Sequence, residues 1–189
     1  MTQPAIKHLW TDSEYLASER SSLEKHELLD GEVFAMAGGS PRHNALTISV
    51  GALLRSLARP RGCSVFSSDQ RIYIPATGLF TYPDVSVVCG KPVVHDGDTI
   101  ENPVLIVEVL SKSTQDYDRG AKFGHYRSIL SLREVLFVTQ QTHCVEHHRR
   151  LDSNQWLLSD VRQGAVQLVS LGGSLALDDI YEGCDDLPD

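Results

Sequence analysis

The run VLIVEVL at 104–110 sets a single carboxyl group, Glu108, among six aliphatic residues. In a strand, Ile106, Glu108 and Leu110 share one face, and Leu105, Val107 and Val109 share the other. Both faces are apolar, as in a strand covered on both sides. An unpaired buried charge costs several kcal/mol, so Glu108 must be protonated, paired with a base or bound to a metal. Asp84 follows Pro83 and opens the preceding strand-like run, 84–89. If the two strands are neighbours, both carboxylates converge near one sheet end. Two carboxylate oxygens, with water and a phosphate oxygen, make a donor set that Mg²⁺ prefers. Lys122 supplies a third element. On a helix from Asp116 to about Leu130, the apolar stripe is Phe123, Tyr126, Ile129 and Leu130. Lys122 lies roughly 50° from the middle of that stripe, at its buried border. Asp118, Lys122 and Tyr126 follow at i, i+4 and i+8, one above another. A metal on two carboxylates polarises a phosphate ester and acidifies a bound water, and an ammonium stabilises the developing negative charge.

Several elements must position these groups. Thr11 and Glu14 form a capping-box pattern for a short helix. HELLDGEVFAM reads as two short strands around Asp30-Gly31, a strong hairpin dipeptide. Ser40 and Pro41 suit a helix cap and first turn. From Arg42 to about Ala58, Leu46, Val50, Leu53, Leu54 and Leu57 recur at helical spacing. Strands are expected at 63–75, 84–89, 104–110 and 134–139, with 143–150 pairing to the last. Further strands are expected near 156–158 and 166–169. Hairpin, helix, three strands, helix and strands fit an α/β class, as a central mixed sheet with helices on its faces. One domain over 1–189 is expected, with an N-terminal helical extension over 1–27 and an acidic tail, partly loose, over 178–189.

The chain has 189 residues, 41% of them hydrophobic and 22% charged, ordinary values for a soluble globular protein. It has neither a secretory signal pattern nor an apolar run of roughly 20 residues, so the expected address is cytoplasmic. Four cysteines, Cys63, Cys89, Cys144 and Cys184, form no CxxC pair; disulfides stay open. The net charge of −8 speaks against a nucleic-acid partner, but six acids fall within 178–189, and the rest nets −2. Segment 41–71 sets Arg42, Arg55, Arg59, Arg61 and Arg71 against Asp69 alone, so a local basic face is open, as is a set of solvated arginines.

YPDVSVVCG at 82–90, PVLIVEVLSKST at 103–114 and DRGAKFGHYRS at 118–128 resemble the Uma-type family of putative restriction endonucleases, within the PD-(D/E)XK nuclease superfamily. The resemblance extends through LLDGEVFAMAGGSPRHN at 28–44 and LREVLFV at 132–138. It implies a restriction-endonuclease-like fold and metal-dependent cleavage of nucleic acid, DNA above all, with Mg²⁺ and Mn²⁺ as its substitute. Asp84 matches the Pro-Asp aspartate and Glu108 the acid of the next strand. The superfamily lysine two residues on is replaced by Leu110; the Uma-type pattern carries it on the following helix, where Lys122 stands. Glu32 matches a recurrent acidic position and is a weaker metal ligand. His43 matches a position at the helix start, as a phosphate contact or a cap. Asp118 and Tyr126 would position Lys122. Arg42, Arg119 and Arg127 are candidate phosphate contacts, which confer affinity without sequence preference. A homodimer is expected, because duplex cleavage takes two active sites.

Other chemistries compete. His143, Cys144, His147 and His148 are zinc-friendly, but alternation on a strand separates them and no four-ligand set emerges. GxxxxGK[ST], GxGxxG and GxSxG are absent. Two alternatives remain: a non-catalytic nucleic-acid-binding or assembly protein, and an enzyme acting on a smaller phosphate ester.

Overall fold

The computed structural model describes residues 8–152 and 155–189. Thr11 caps α1 (Asp12–Glu19) with the expected box. β1 (His26–Leu29) and β2 (Glu32–Ala35) pair around Asp30 and Gly31, both at positive φ, as the two-residue turn requires. Ser40 caps α2 (Pro41–Ala58). Then follow β3 (Cys63–Ser67), β4 (Ile72–Ile74), β5 (Leu79–Thr81), β6 (Val85–Cys89), β7 (Val94–His95), β8 (Thr99–Ile100) and β9 (Leu105–Leu110). Next come α3 (Gln115–Tyr117), a π-helical stretch (Asp118–Lys122) and α4 (Phe123–Tyr126). β10 (Glu134–Thr139), β11 (Val145–Arg150), β12 (Trp156–Val161), β13 (Ala165–Leu168), β14 (Gly173–Ala176) and α5 (Leu177–Tyr181) complete the order.

The sheet differs from expectation in number. Two six-stranded mixed sheets form, ordered β12-β11-β10-β9-β6-β3 and β2-β1-β5-β4-β8-β7, beside the β13-β14 hairpin. The run 63–75 is not one strand: it breaks at 68–71, so β3 joins the first sheet and β4 the second. β9 is central in the first sheet, parallel to β10 and antiparallel to β6, which accounts for its fully buried pattern. The alternation separates two cores. Leu105, Val107 and Val109 face α2 and the C-terminal elements. Ile106 and Leu110 face β4, β5 and Tyr126. Cys63 and Cys89, opposite each other on β3 and β6, are joined by a disulfide. Of the N-terminal helical extension, residues 1–7 lie outside the described residues. α1 packs Tyr15 and Leu16 on Leu28 and Phe80, so it closes a small core of its own. In the acidic tail, α5 buries Leu177, Ile180 and Tyr181, and Arg42 donates to the Cys184 carbonyl at 2.9 Å and the Asp185 carbonyl at 2.6 Å.

Glu134 ties the C-terminal layer to the first sheet. It is fully buried and accepts from Val169 N–H (3.0 Å), Ser170 N–H (2.8 Å) and the Ser170 hydroxyl, with His147 Nε2 at 2.9 Å. Burial opposes its charge, but these partners outweigh it and hold the carboxyl below its ordinary pKa of 4.5. Its contribution is therefore present above that value and lost as pH falls through the lower folded one. Glu134→Ala orphans buried donors, and we expect it to cost about 3 kcal/mol in denaturant unfolding at neutral pH. The difference from wild type should shrink in acid.

Candidate functional site

The last paired residues of β6 and β9, Val85 and Val107, put Asp84 directly across from Glu108. The Asp84 Oδ2 atom accepts the Val109 N–H at 2.7 Å and lies 3.2 Å from His43 Nε2. His43 sits in the first turn of α2, which the Ser40 cap fixes. Glu108 Oε1 accepts the Tyr126 hydroxyl and lies 3.1 Å from Lys122 Nζ. The Lys122 ammonium also lies 3.1 Å from Glu27 Oε1 and 3.7 Å from Asp118 Oδ1. Glu27, Asp84, Glu108, Asp118, Lys122 and His43 line one cleft of about 880 Å³.

The π-helical stretch explains how Asp118, Lys122 and Tyr126 all become buried. There the Phe123 N–H reaches the Asp118 carbonyl, the i→i+5 bond of such winding, which recurs at functional sites. Tyr126 departs from its expected role: its hydroxyl holds Glu108, not Lys122.

Electrostatics follow from this crowding. Burial pushes the Glu108 carboxyl up to about 8, and Lys122 only partly offsets it. Burial works against the Lys122 ammonium, but Glu108, Tyr126, Glu27 and Asp118 outweigh it and hold its pKa well above the ordinary value. Burial raises Asp118 as well. Burial likewise opposes charge on His43, yet Asp84 prevails and its pKa rises.

The expected sites fall into three groups. Asp84, Glu108, Lys122, Asp118, Tyr126 and His43 come together. Glu32 does not border the cleft. Across the hairpin it stands opposite Leu29 at the turn, two residues from Phe34, and Phe34 is the partner of Glu27. Glu27 takes the expected place, and its signal was the same pattern counted back from the turn. The arginines do not gather: none of Arg42, Arg119 and Arg127 lines the cleft. Arg42 holds the tail, Arg119 grips Glu146 at 2.6 Å and Gln115 at 2.8 Å, and Arg127 lies over the Phe123 ring. Nor does 41–71 form one basic face: Arg71 is buried against Tyr82, and Arg61 reaches the Gly172 carbonyl. His143 stacks on Tyr181, His147 meets Glu134 and His148 packs on Phe123, so the histidine cluster is dispersed.

Two carboxylates fit a hard divalent cation. Asp84 keeps Oδ1 unengaged among the described residues, and Glu108 Oε2 meets only the Asp84 N–H, at 3.4 Å. Among the described residues no group of three or more His, Cys, Asp or Glu is set to hold a metal. Mg²⁺ tolerates this, because it usually keeps several waters and uses one or two carboxylates.

The architecture is the restriction-endonuclease-like α/β class. A solved protein from Anabaena variabilis, described as a putative nuclease belonging to DUF820, superposes with a TM-score of 0.72 at 16% identity, over 91% of this chain and 97% of its own. Residues 12–178 match the family model Uma2, "Putative restriction endonuclease", and the chain belongs to that family. Two Synechocystis relatives are "Uncharacterized protein sll1609", 38% identical over 83% of this chain and 90% of its own, and "Uncharacterized protein slr1290", 36% identical over 90% of each. No helix among the described residues is long and apolar enough to cross a membrane.

A carboxyl whose folded pKa is raised stabilises the fold in its protonated form. That contribution is complete below the ordinary 4.5 and lost as pH rises to about 8. The metal-free protein should therefore lose thermal stability across that window, and Glu108→Gln should flatten the loss. An unchanged slope would show that Glu108 is already ionised.

Proposed function

We propose that this chain is a metal-dependent endonuclease that hydrolyses phosphodiester bonds of DNA. The observation that carries this reading is the Lys122 ammonium, buried 3.1 Å from Glu108 beside Asp84 in an open cleft. Asp84 and Glu108 would hold Mg²⁺, or Mn²⁺ in its place. Such an ion supplies Lewis acidity to the phosphate and acidifies water. Tyr126 and Lys122 fix the Glu108 carboxylate, while His43 and the Val109 N–H fix Asp84. Lys122 offers positive charge where the pentavalent phosphate gathers negative charge. Glu27 and Asp118 keep it protonated.

The cleft favours an enzyme over a passive nucleic-acid binder. Its five carboxyl residues, Glu27, Asp84, Glu108, Asp118 and Asp189, three of them paired with the buried Lys122, would repel phosphate without a cation. Affinity would come from contacts to the nucleic-acid backbone, which carry no sequence preference. A homodimer would present two sites to a duplex. A cytoplasmic setting suits a DNA substrate.

Plasmid, linear duplex, single-stranded and branched DNA, each with Mg²⁺, Mn²⁺ or EDTA, test the reading. Cleavage should need the metal and vanish in Glu108→Ala. Lys122→Met should lower turnover by about 10²–10³-fold with little change in substrate binding, at a temperature where circular dichroism shows it folded, because it also leaves buried carboxyls unanswered at a cost of about 3–5 kcal/mol. Wild-type cleavage by Lys122→Met would remove lysine from the mechanism.

A further inference from the structure

The cleft has a second cation at its rim, and the chain itself already occupies it. Lys112 lines the cleft just after β9, and Gln141 lines it just after β10. Asp189 lies between them. Its Oδ2 accepts from Lys112 Nζ at 2.9 Å and from Gln141 Nε2 at 3.5 Å. Its Oδ1 is 3.5 Å from Arg42 Nη1. The segment that delivers Asp189 is anchored along its length. Arg42 takes the Cys184 and Asp185 carbonyls, the Arg42 N–H donates to the Pro188 carbonyl at 3.2 Å, and Asp185 meets His143 at 2.7 Å. The end of an acidic segment, Asp189, thus borders a cleft that is itself acidic. Like charges avoid such an arrangement unless a cation holds them, and Lys112 is the rim cation that does so. The Lys112 contact lowers the Asp189 carboxyl.

We propose that Lys112 and Gln141 form the subsite for a backbone phosphate flanking the scissile bond, and that Asp189 fills it in the free chain as a phosphate mimic. A carboxylate and a phosphodiester present similar anionic oxygens to an ammonium and an amide N–H. Nucleic acid entering the cleft displaces Asp189 and takes over both donors. The tail then competes with substrate, and the acidic stretch tunes affinity. This rests on the reading of the cleft as a phosphodiester site, but it is measured by binding rather than cleavage.

The test is fluorescence anisotropy of a short labelled duplex with nuclease-resistant linkages, in Mg²⁺, across a salt series. Asp189→Asn should tighten binding by about two- to fivefold, the size of a partly exposed ion pair. Lys112→Gln should weaken it and reduce the salt slope by about one, in the Asp189→Asn background as well. Thermal midpoints close to wild type would exclude unfolding as the cause. Inorganic phosphate, titrated in parallel, separates a backbone subsite from a small-anion one. Duplex binding indifferent to both Asp189→Asn and Lys112→Gln overturns the proposal, as does Lys112-dependent binding of inorganic phosphate alone. Binding that shifts as expected in a chain that cleaves no DNA leaves the subsite standing and removes only the nuclease reading. Cleavage with binding blind to Lys112 does the reverse.

Discussion

One ammonium group surrounded by carboxyls governs this structure. A carboxylate on a strand covered on both faces is unfavourable by several kcal/mol unless something answers its charge. Lys122 answers Glu108, and in doing so draws in Glu27 from the hairpin of one sheet and Asp118 from its own helix. The second sheet, the helix after β9 and the central strand of the first sheet therefore meet at one nitrogen. The apolar layers around it, with Ile106, Leu110 and Phe137 on one side and Val107 and Leu136 on the other, are what make that meeting costly and hence well defined.

Much of this was readable in the residues. Glu108 stood out because a charge among aliphatics demands a partner, and Lys122 because its angle bordered an apolar stripe. The first argument depends on strand alternation, which survives folding; the second assumes regular helix to Leu130, whereas the chain is π-wound over Asp118–Lys122, its helix ends at Tyr126 and Leu130 is exposed. Glu27 was missed for a different reason. Whether an acid beside a hairpin turn faces inward depends on which sheet the hairpin joins, and that sheet includes β5 and β4, far along the chain. The division into two sheets was hidden likewise, since the polar Ser68–Arg71 between β3 and β4 does not say which partners each strand pairs with. The arginines failed as a group because formal charge says nothing of backbone carbonyls that claim a guanidinium, as those of residues 184 and 185 claim Arg42.

The acidity of the whole chain also takes on a different sense. A net charge of −8 repels a polyanion at long range, and salt screens that repulsion only beyond roughly 8–10 Å. Under the proposed reading, the excess of carboxyls in the cleft would make approach depend on a cation. Charge of this kind would discriminate by loading state: a cleft holding a divalent ion would admit phosphate, and an empty one would turn it away.

The π-wound step at Asp118–Lys122 has a consequence for how such a chain can vary. A π-bulge holds one residue more than regular α-winding needs. The bulge absorbs that residue locally; regular α-winding over the same length would swing everything beyond it by about 100° relative to what precedes. Asp118 and Tyr126 lie on opposite sides of that step, and both belong to the buried cluster. The winding of this short stretch, rather than its residue count, therefore keeps the two on one face. A relative one residue shorter here would hold both groups in place on plain α-helix, whereas a further inserted residue would part them.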